Sequence, residues 1–555
     1  MNFIENIFEQ LERSPDRPVL QEIRGEQVVS VTGGELLAQV RVARSFLQKA
    51  GFQNGDRCAL LAHNSIRWVA ADLALMAEGI IVVPLYARQA PAELVAMMKN
   101  STPRLICCGE SALGESIARA RSGAPRLVSL DEVFAARDVV DAQRRLASQA
   151  PAPREPQDLV TIIYTSGTSG EAKGVCLTVA NLDHMLACTT QRLDELMGPA
   201  TRPDRVFHYL PFNFAGSWIL MLSCLSRRSL LSLSTDLNKL ADEIPVAAPD
   251  YFLNVPTLLE RVRRGVEENL RKRGGFALPI FEKAWQGFLR NADGQRRFSD
   301  TVYRIVAGLA IFPRVRKRFG PHLRALICGS APLSRETQLF FNMLGIRVLQ
   351  VYGLTETTGI CTMDDPRGRV EPGCVGPAIP EVEMILGENQ EILVHGPNLF
   401  PGYWNRPEET ARVLRDGWFR TGDQGEVNAA GNWRIVGRIK NLIILNSGHN
   451  IAPEPIEDVL RELLPGAQHV VLAGNGRGYV TALVTGDASE TAMKSALETV
   501  NRNLPHYKQV RSFHLLREPL TIENGMLTAN GKLKRDAIAA RFAAEIDALY
   551  QRKTA

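Results

Sequence analysis

The 555-residue sequence has few cysteines and none of the patterns that cysteines form in disulfide scaffolds or zinc sites. Its nine cysteines are scattered, no CxxC pair occurs, and Cys107 and Cys108 are adjacent. Small secreted scaffolds need paired cysteines, and structural zinc sites need closely spaced ligand pairs. The cysteine pattern therefore predicts a protein of a reducing compartment, which indicates the cytoplasm.

Apolar runs long enough to cross a membrane are also lacking. The most apolar stretch, from Trp68 to Tyr86, is interrupted by Asp72, Glu78 and Gly79. Since a spanning helix needs about 20 predominantly apolar residues, this stretch predicts a buried helix followed by a strand. The first residues, MNFIENIFEQLERSPDRP, carry acids early and no apolar core of signal-peptide length. We expect a soluble protein, at most peripheral to the inner face of a membrane.

Charge of one sign is not in large excess, but it is unevenly placed. The formal net charge is +5, whereas the segment from Leu258 to Ala325 holds sixteen Lys and Arg residues against six Asp and Glu residues. Such a cluster predicts either an anionic partner, such as phospholipid headgroups, cofactor phosphates or nucleic acid, or a solvated helical insertion. Since no nucleic-acid-binding module accompanies it, we expect no nucleic-acid partner.

The chain is too long for one compact core. Over most of its length, apolar runs of strand length alternate with helical patterns. The runs include CALLAHN, IIVVPLY, RLICCG, VTIIYT, RVFHYL, LRALICG and IRVLQVYG. Continuously apolar strands are typical of sheets that are covered on both faces, so the order predicts an α/β fold with mostly parallel sheets and flanking helices. From Gly376 shorter strands and turns indicate an antiparallel, β-barrel-like region. We expect a large domain over 1–437 and a small α+β domain over 438–555.

The most informative motif is a loop rich in glycine and hydroxyl residues, which follows the apolar strand LVTIIY. It runs from Tyr164 to Gly174 as YTSGTSGEAKG, with Lys173 near its end. Backbone N–H groups and hydroxyls of such a loop can surround phosphate oxygens, with the lysine as the counter-charge. The loop is not a Walker A motif, because its Gly-to-Lys spacing differs and no Ser or Thr follows the lysine. By itself it could equally be a surface turn.

Further polar residues follow other apolar strands or lie in turns. Tyr352, Thr355 and Glu356 lie in QVYGLTET, which offers a ring for stacking on a base, a hydroxyl for a phosphate and a carboxylate for Mg²⁺. Asp423 ends the motif WFRTGD and could bind ribose hydroxyls, whereas Lys532 lies in the polar turn TANGKL. Each residue alone predicts little. Their common order decides between a binding site and unrelated turns.

Together these segments resemble the adenylate-forming superfamily of acyl-CoA synthetases, luciferases and non-ribosomal-peptide adenylation domains. The resemblance covers about Asn64 to Arg535. It implies a large N-terminal domain and a small C-terminal lid, with the active site between them, and it implies ATP, Mg²⁺ and coenzyme A as cosubstrates or cofactors.

The resemblance also implies roles for individual residues. It makes Lys532 the lysine that bridges the substrate carboxylate and the α-phosphate, Lys440 the hinge of the lid, and Glu356 a Mg²⁺ ligand with Thr165. The implied nucleotide-binding residues are Thr165, Ser166, Gly167, Thr168, Lys173, Gly329, Ser330, Gln350, Val351, Tyr352, Gly353, Thr355, Asp423 and Arg438. Phe214, Ala215 and Trp218 are implied for the wall of the acyl pocket, and Ser447, Gly448 and His449 for the coenzyme A tunnel.

We therefore expect an AMP-forming acid–CoA ligase that activates a carboxylic acid, most simply a medium- or long-chain fatty acid. The basic segment resembles an insertion of long-chain acyl-CoA synthetases, and its mixed apolar and cationic portion YRIVAGLAIFPRVRKRF predicts peripheral membrane contact. One alternative is an acyl-AMP ligase that loads the phosphopantetheine thiol of a carrier protein. Another is a non-catalytic protein that binds nucleotide or acyl groups.

Overall fold

Two large, mostly parallel sheets form the main part of the molecule. A computed structural model describes residues 1–25, 27–120, 125–135, 146, 149–165, 172–199, 202–234, 236–274, 276–295, 297–464, 466–528 and 531–551. The eight-stranded sheet has the order β14-β13-β12-β11-β9-β10-β1-β2 and is parallel from β13 to β1, with antiparallel strands at both edges. Its strands are β1 (Pro18–Arg24), β2 (Gln27–Thr32), β9 (Arg205–His208), β10 (Leu230–Ser234), β11 (Tyr251–Asn254), β12 (Ala325–Cys328), β13 (Arg347–Tyr352) and β14 (Thr362–Met363).

The second large sheet has six strands in the order β6-β5-β3-β4-β7-β8, and β8 is its antiparallel edge. Its strands are β3 (Arg57–Leu61), β4 (Ile81–Leu85), β5 (Leu105–Cys108), β6 (Arg126–Ser129), β7 (Leu159–Thr165) and β8 (Lys173–Thr178). Strands β4 and β5 are buried along their whole length, as continuously apolar sequence requires in a sheet covered on both faces. The prediction of a largely parallel α/β fold is confirmed.

An antiparallel sheet follows, as predicted from Gly376 onward. It comprises β15 (Glu383–Leu386), β16 (Glu391–His395), β17 (Leu414–Arg415), β18 (Trp418–Val427) and β19 (Trp433–Arg438). The order is β15-β16-β18-β17, and β19 also pairs with β18. Along β18 buried and partly buried residues alternate, because one face of the strand packs on the core.

The C-terminal part has its own small sheets and apolar cores. Its strands are β20 (Ile443–Ile444), β21 (Asn450–Ile451), β22 (Ala467–Ala473), β23 (Val480–Gly486) and β24 (Val510–Leu516). Two apolar clusters consist of residues from Ile443 onward, and the clusters of the three large sheets end at Ile435. The boundary expected between residues 437 and 438 remains a prediction.

Helices cover the sheets and separate them. The largest apolar core joins five N-terminal helices, over residues 3–13, 33–49, 66–77, 179–197 and 215–226, to strands of both large sheets. Local sequence begins several of these helices: Asn2 with Glu5, and Thr32 with Glu35, form reciprocal capping boxes. The N-terminal helices are α1 (Phe3–Arg13), α2 (Gly33–Lys49), α3 (Ile66–Ala77), α4 (Pro91–Ser101), α5 (Ser111–Ala120), α6 (Leu130–Val133), α7 (Val179–Met197), α8 (Ala215–Ser226) and α9 (Leu240–Ala247).

Four consecutive helices lie between β11 and β12, in the basic segment. They are α10 (Pro256–Arg273), α11 (Ala277–Ala292), α12 (Phe298–Ala310) and α13 (Phe312–Arg316). The remaining helices are α14 (Arg335–Met343), α15 (Pro407–Val413), α16 (Glu454–Leu463), α17 (Glu490–Arg502), α18 (Arg535–Arg541) and α19 (Ala543–Gln551). Within the described ranges, none of the helices combines the length and apolarity that a membrane crossing requires.

Candidate active site

A cavity of about 2650 Å³ opens between the sheets of the large domain and the C-terminal part. Residues at the carboxyl ends of β7 and β13 line it, together with the end of β19 and the turn that carries Lys532. Ligands of open α/β sheets bind at the carboxyl ends of parallel strands, where neighbouring loops diverge. The fold therefore brings the predicted segments, which are far apart in the sequence, to one cavity.

The exit of β13 places an aromatic ring, a hydroxyl and a carboxylate on the cavity wall. Tyr352, Thr355 and Glu356 all line the cavity, and Thr355–Thr357 forms a short 3₁₀ turn. Gly353 permits this tight exit, because a Cβ there would lie 2.4 Å from the Cα of Ile360. Burial raises the pKa of Glu356, so its ionised carboxylate is held in a poorly solvated place. A cation bound there would relieve that cost.

Asp423 and Arg438 are neighbours because β18 and β19 pair with these two residues in register. Arg438 Nε lies 2.7 Å from Asp423 Oδ1, and the Tyr352 hydroxyl donates to Asp423 Oδ2 at 2.8 Å. The Asp423 side chain is only 4% exposed. Burial raises its pKa, and Arg438 acts in the opposite direction. The carboxylate is thus fixed beside the ring predicted to stack on adenine.

Three cations surround this carboxylate. Arg438, Lys440 and Lys532 all stabilise the charge of Asp423, although Lys532 comes from a turn more than ninety residues further along the chain. Burial and then Arg438 lower the pKa of Lys440 to about 8, and the same two causes lower the pKa of Lys532. Cations that destabilise one another's charge are prepared for an additional anion, such as a phosphate.

A short turn projects Lys532 into the cavity. The backbone N–H of Thr528 donates to the carbonyl of Lys532 at 2.8 Å, and the Lys532 N–H donates to Thr528 Oγ1 at 3.1 Å. Leu527 and Leu533 pair across the turn and pack on the second apolar core of the C-terminal part. The apolar residues anchor the turn, and the lysine between them stays accessible to water within the cavity.

Comparison with known proteins identifies this arrangement. A family model described as AMP-binding enzyme matches residues 7–404, and one described as AMP-binding enzyme C-terminal domain matches residues 440–554. The chain belongs to the AMP-binding enzyme family.

Relatives resemble this AMP-binding enzyme over its whole length. The long-chain-fatty-acid–CoA ligase FadD15 of Mycobacterium tuberculosis is 27% identical over 99% of this chain and 96% of that protein. Long chain acyl-CoA synthetase 3 of Arabidopsis thaliana is 25% identical over 98% of this chain and 91% of that protein. The crystal structure of ATP-bound MatB from Rhodopseudomonas palustris has 26% identity and a TM-score of 0.72, covering 98% of this chain and 99% of that one.

The nucleotide-binding residues predicted in the sequence lie around the cavity, with two qualifications. Thr165, Lys173, Gly329, Ser330, Val351 and Gly353 line it in addition to the residues above. Ser330 has a φ of 72°, a left-handed conformation that is uncommon for non-glycine residues. Gln350 also borders the cavity, but its buried side chain donates to Gln338 and to the carbonyl of Cys374, so it fixes β13 and is not free for a nucleotide. Ser166, Gly167 and Thr168 lie outside the described residues.

Three residues that the sequence motifs did not indicate form contacts that lead from Glu356 to Lys173: Tyr403, Arg406 and Glu409. Tyr403 donates its hydroxyl to Glu356 Oε1 at 2.8 Å, and Lys173 Nζ lies 5.1 Å from the centre of the Tyr403 ring. Glu409 binds Lys173 Nζ at 2.6 Å through one oxygen and Arg406 at 2.7 Å through the other. The bond to Lys173 lowers the pKa of Glu409. Their segment does not follow the strand-end pattern by which the other residues were found.

The Tyr403→Phe variant is expected to raise the Mg²⁺ concentration needed for half-maximal turnover by about ten- to 100-fold. A hydrogen bond to a charged group contributes about 1.5–3 kcal/mol, and the variant removes the one from Tyr403 to Glu356 while keeping the ring beneath Lys173. Turnover measured over a Mg²⁺ titration tests this. Tyr303→Phe, which removes a hydroxyl bonded to Lys283 far from the cavity, serves as the control. An unchanged Mg²⁺ requirement in Tyr403→Phe would show that the hydrogen bond from Tyr403 does not support Glu356 in binding Mg²⁺.

Glu356 fits a magnesium ion that is shared with a nucleotide. Mg²⁺ is usually held by one or two carboxylates and by substrate phosphates, and not by a cage of protein ligands. In the described part of the chain no group of three His, Cys, Asp or Glu residues converges. A single partly buried carboxylate in the cavity lined by the predicted phosphate-binding residues matches this mode of binding, and Thr165 also lines the cavity.

The apolar wall of the cavity agrees with two of the three predicted residues. Phe214 and Ala215 line the cavity, together with residues that recur along one face of α8: Gly216, Ile219, Leu220 and Ser223. The prediction for Trp218 was wrong. Its side chain lies on the opposite face of α8, is 1% exposed, and donates through Nε1 to the buried Asp72 at 2.8 Å. The helical period of 3.6 residues turns position 218 away from the cavity.

The residues predicted for the coenzyme A tunnel lie away from the cavity in this structure. Ser447, Gly448 and His449 are exposed on the C-terminal part, where the His449 ring stacks on Tyr507 with centres 4.3 Å apart. Ser447 Oγ and His449 Nδ1 are 2.9 Å apart. With Lys532 in the cavity, these residues could approach it only after the C-terminal part rotates, so their role remains a prediction.

Proposed function

We propose that this AMP-binding enzyme is an ATP-dependent acid–CoA ligase. It activates a carboxylic acid, of medium or long chain length, as an acyl-adenylate with release of pyrophosphate, and then forms the acyl-CoA thioester. The observation that carries the proposal is the convergence of Lys532, Asp423 and Arg438 on one cavity, which supports a lysine of the lid acting beside the residues proposed to bind ribose. The names of the similar ligases support the choice of acid and acceptor.

In the first step a carboxylate oxygen attacks the α-phosphorus of ATP, and the bond to the pyrophosphate oxygen breaks. Two anions must approach each other, so the site needs positive charge on both sides of the reacting atoms. Lys532 contacts the carboxylate and the α-phosphate, whereas Lys173, held by Glu409, contacts the departing phosphates. Asp423 holds the ribose and Tyr352 the base. Glu356 would hold Mg²⁺, which neutralises phosphate charge when bound.

In the second step the thiolate of coenzyme A attacks the acyl carbon and AMP leaves. This step needs access from another side, and a lid that has completed adenylation can supply it by rotating. We place the hinge at Lys440, in the 3₁₀ turn Ile439–Asn441, and the domain boundary between residues 437 and 438. Rotation would remove Lys532 and break the contact of Arg461 with Glu260, 3.3 Å apart, which joins the lid to α10. Ser447, Gly448 and His449 would then border the thiol path.

The cavity face of α8 supports an acyl chain as the substrate. Gly216, Ile219 and Leu220 present almost no polar atoms there, and Met185 and Leu193 of α7 lie on the same cavity wall. Removing a methylene group from water contributes about 0.8 kcal/mol, so such a wall favours long chains over short ones. The residues of this wall offer no carboxylate that could hold the amine of an amino acid.

The Gly216→Leu variant is expected to lower turnover of long-chain acids by about ten- to 100-fold while retaining short-chain acids. A Cβ at Gly216 meets only Leu253 Cδ2, at 4.0 Å, so the larger side chain fits and occupies space in the cavity. Displacing two or three methylene groups at about 0.8 kcal/mol each gives this magnitude. Turnover is measured over a series of acids of increasing length. Gly265→Leu, in α10 with nothing near its Cβ, is the control; an unshifted chain-length profile in Gly216→Leu contradicts the acyl wall.

A pyrophosphate-release assay over fatty, aryl and amino acids, run with and without coenzyme A, tests the proposal as a whole. We expect release with fatty acids and acyl-CoA formation when coenzyme A is added. Release of pyrophosphate without thioester formation would instead indicate the alternative, an acyl-AMP ligase that loads a carrier-protein thiol. No cleavage of ATP to AMP with any acid would leave a non-catalytic binding protein, which the clustering of Lys173, Glu356, Asp423 and Lys532 argues against.

Peripheral membrane contact belongs to the same proposal. The excess of cations between Leu258 and Ala325 lies in helices α10 to α13, whose cationic residues are largely exposed. Such a surface attracts anionic headgroups. An enzyme that acts on poorly soluble acids gains access to its substrate by resting on the bilayer.

A further inference from the structure

Two cations of the active-site cavity share one carboxylate, that of Glu409. Its Oε2 lies 2.6 Å from Lys173 Nζ, and its Oε1 accepts a hydrogen bond from Arg406 Nη1 at 2.7 Å. Lys173 and Arg406 both line the cavity, and all three side chains are partly buried. Lysine and arginine are also the usual cationic ligands of phosphate oxygens. Glu409 thus occupies the same donors that a bound phosphate group would use.

Main-chain contacts hold these groups side by side. Tyr403 and Val175 form an isolated antiparallel bridge, and the N–H of Trp404 donates to the carbonyl of Gly174 at 2.7 Å. The start of β8, where the lysine lies, is therefore attached to the segment that leads into α15. The position of the carboxylate beside the two cations follows from this backbone arrangement and not only from the direction of long side chains.

A carboxylate in the first turn of a helix can also have a purely structural role, because it stabilises the positive end of the helix dipole. Glu408, in the same turn of α15, fits that role: its side chain is 89% exposed and lies 3.9 Å from Arg412. Glu409 is turned toward the cavity cations instead, and its contact with Lys173 lowers its pKa. Its negative charge is therefore present where the phosphates are proposed to bind.

We propose that Glu409 competes with the phosphates of ATP and of pyrophosphate for Lys173 and Arg406, and thereby promotes the release of pyrophosphate. The inference rests on the proposed function, in which Lys173 contacts the departing phosphates. The carboxylate opposes a bound phosphate by like-charge repulsion, and it regains both cations when pyrophosphate leaves. Product release limits the turnover of many enzymes, so a site that retains pyrophosphate less tightly gains rate. Glu409 is a positioning residue, since it acts through two cations.

Inhibition by added pyrophosphate tests the inference in the full-length protein. AMP formation from a fatty acid, ATP and coenzyme A is measured with Mg²⁺ in constant excess. In Glu409→Gln we expect the KM for ATP and the half-inhibitory pyrophosphate concentration both to fall by about three- to tenfold, because each partly exposed ion pair accounts for up to about fivefold. Glu409→Ser, a second neutral variant, should shift both constants in the same direction.

Two further variants separate charge from shape. Glu409→Asp keeps the negative charge and should remain near the wild type in both constants. Glu408→Gln, which removes the exposed neighbouring carboxylate, is the matched control and should equal the wild type. If Glu409 only holds Lys173 in place, Glu409→Gln raises the KM for ATP and weakens the inhibition by pyrophosphate. That result, or unchanged constants, overturns the inference.

Calorimetric titration of the wild type and Glu409→Gln with pyrophosphate and Mg²⁺ measures the competition without turnover. We expect the variant to bind pyrophosphate about three- to tenfold more tightly. Equal or weaker binding by the variant overturns the inference even where AMP formation is normal. No AMP formation by the wild type from any acid would refute the proposed function instead, while tighter pyrophosphate binding by Glu409→Gln would still support competition at the two cations.

Discussion

The Lys532→Ala variant is expected to lose acyl-AMP formation by about 10²–10³-fold and to retain thioester formation from supplied acyl-AMP. Removing one preorganised donor from the developing charge of a transition state has effects of this size. Lys532 lines the same cavity as Asp423 and Arg438, where burial and Arg438 lower its pKa, so its charge is destabilised until an anion binds beside it. The second step needs the lid elsewhere, and Lys532 then has no part in it.

The two half-reactions separate this role from a general loss of structure. Adenylation is measured as the release or exchange of pyrophosphate. Thioester formation is measured as the consumption of synthetic acyl-AMP in the presence of coenzyme A. Lys494→Ala is a suitable control, since this exposed lysine of α17 pairs with Glu490 on the lid surface. If Lys532→Ala slows both half-reactions equally, the assignment of Lys532 to the first step is wrong.

The Glu356→Gln variant is expected to lower turnover by about 10²-fold at saturating Mg²⁺ and by more at limiting Mg²⁺. Glutamine keeps the size of the side chain and an oxygen that can accept the bond from Tyr403, so the change removes mainly the charge. Mg²⁺ prefers ionised oxygen ligands and is held here by one protein carboxylate and the phosphates. The loss should therefore appear in the Mg²⁺ dependence and not in the affinity for the acid.

A Mg²⁺ titration of ATP-dependent pyrophosphate release measures this effect. The matched control is Glu408→Gln, which changes an exposed carboxylate of α15 five residues after Tyr403 in the sequence. Its Mg²⁺ dependence should equal that of the wild type. Wild-type activity of Glu356→Gln at limiting Mg²⁺ would exclude Glu356 as a ligand.

Much of the fold could be predicted because its signals are local. The run IIVVPLY is continuously apolar, and it forms the fully buried β4 (Ile81–Leu85). The motif residues that follow apolar strands, such as Thr355 and Glu356 after β13, are connected in the sequence by their common order and by the family resemblance. They line one cavity because parallel strands end at one edge of a sheet. The family resemblance supplied the partner from the distant lid, Lys532, which no local pattern connects to them.

Predictions for individual side chains were weaker where direction depends on tertiary packing. Trp218 lies within one helical turn of Ala215, yet only Ala215 reaches the cavity, because Asp72 of α3 binds the indole of Trp218 on the other face of α8. Gln350 lies in β13 two residues before the strand ends at the cavity, but Gln338 and Cys374 hold its amide in the core. Neither partner can be identified from the surrounding sequence.

The sequence by itself determined the strand–helix order, the antiparallel region after Gly376 and the groups available for phosphate, ribose and metal. These follow from hydrophobic period and residue chemistry, which act over a few neighbours. Only the tertiary structure decided that Tyr403 supports Glu356 and that Glu409 holds Lys173. Such contacts depend on residues brought together from distant parts of the chain, so no local pattern encodes them.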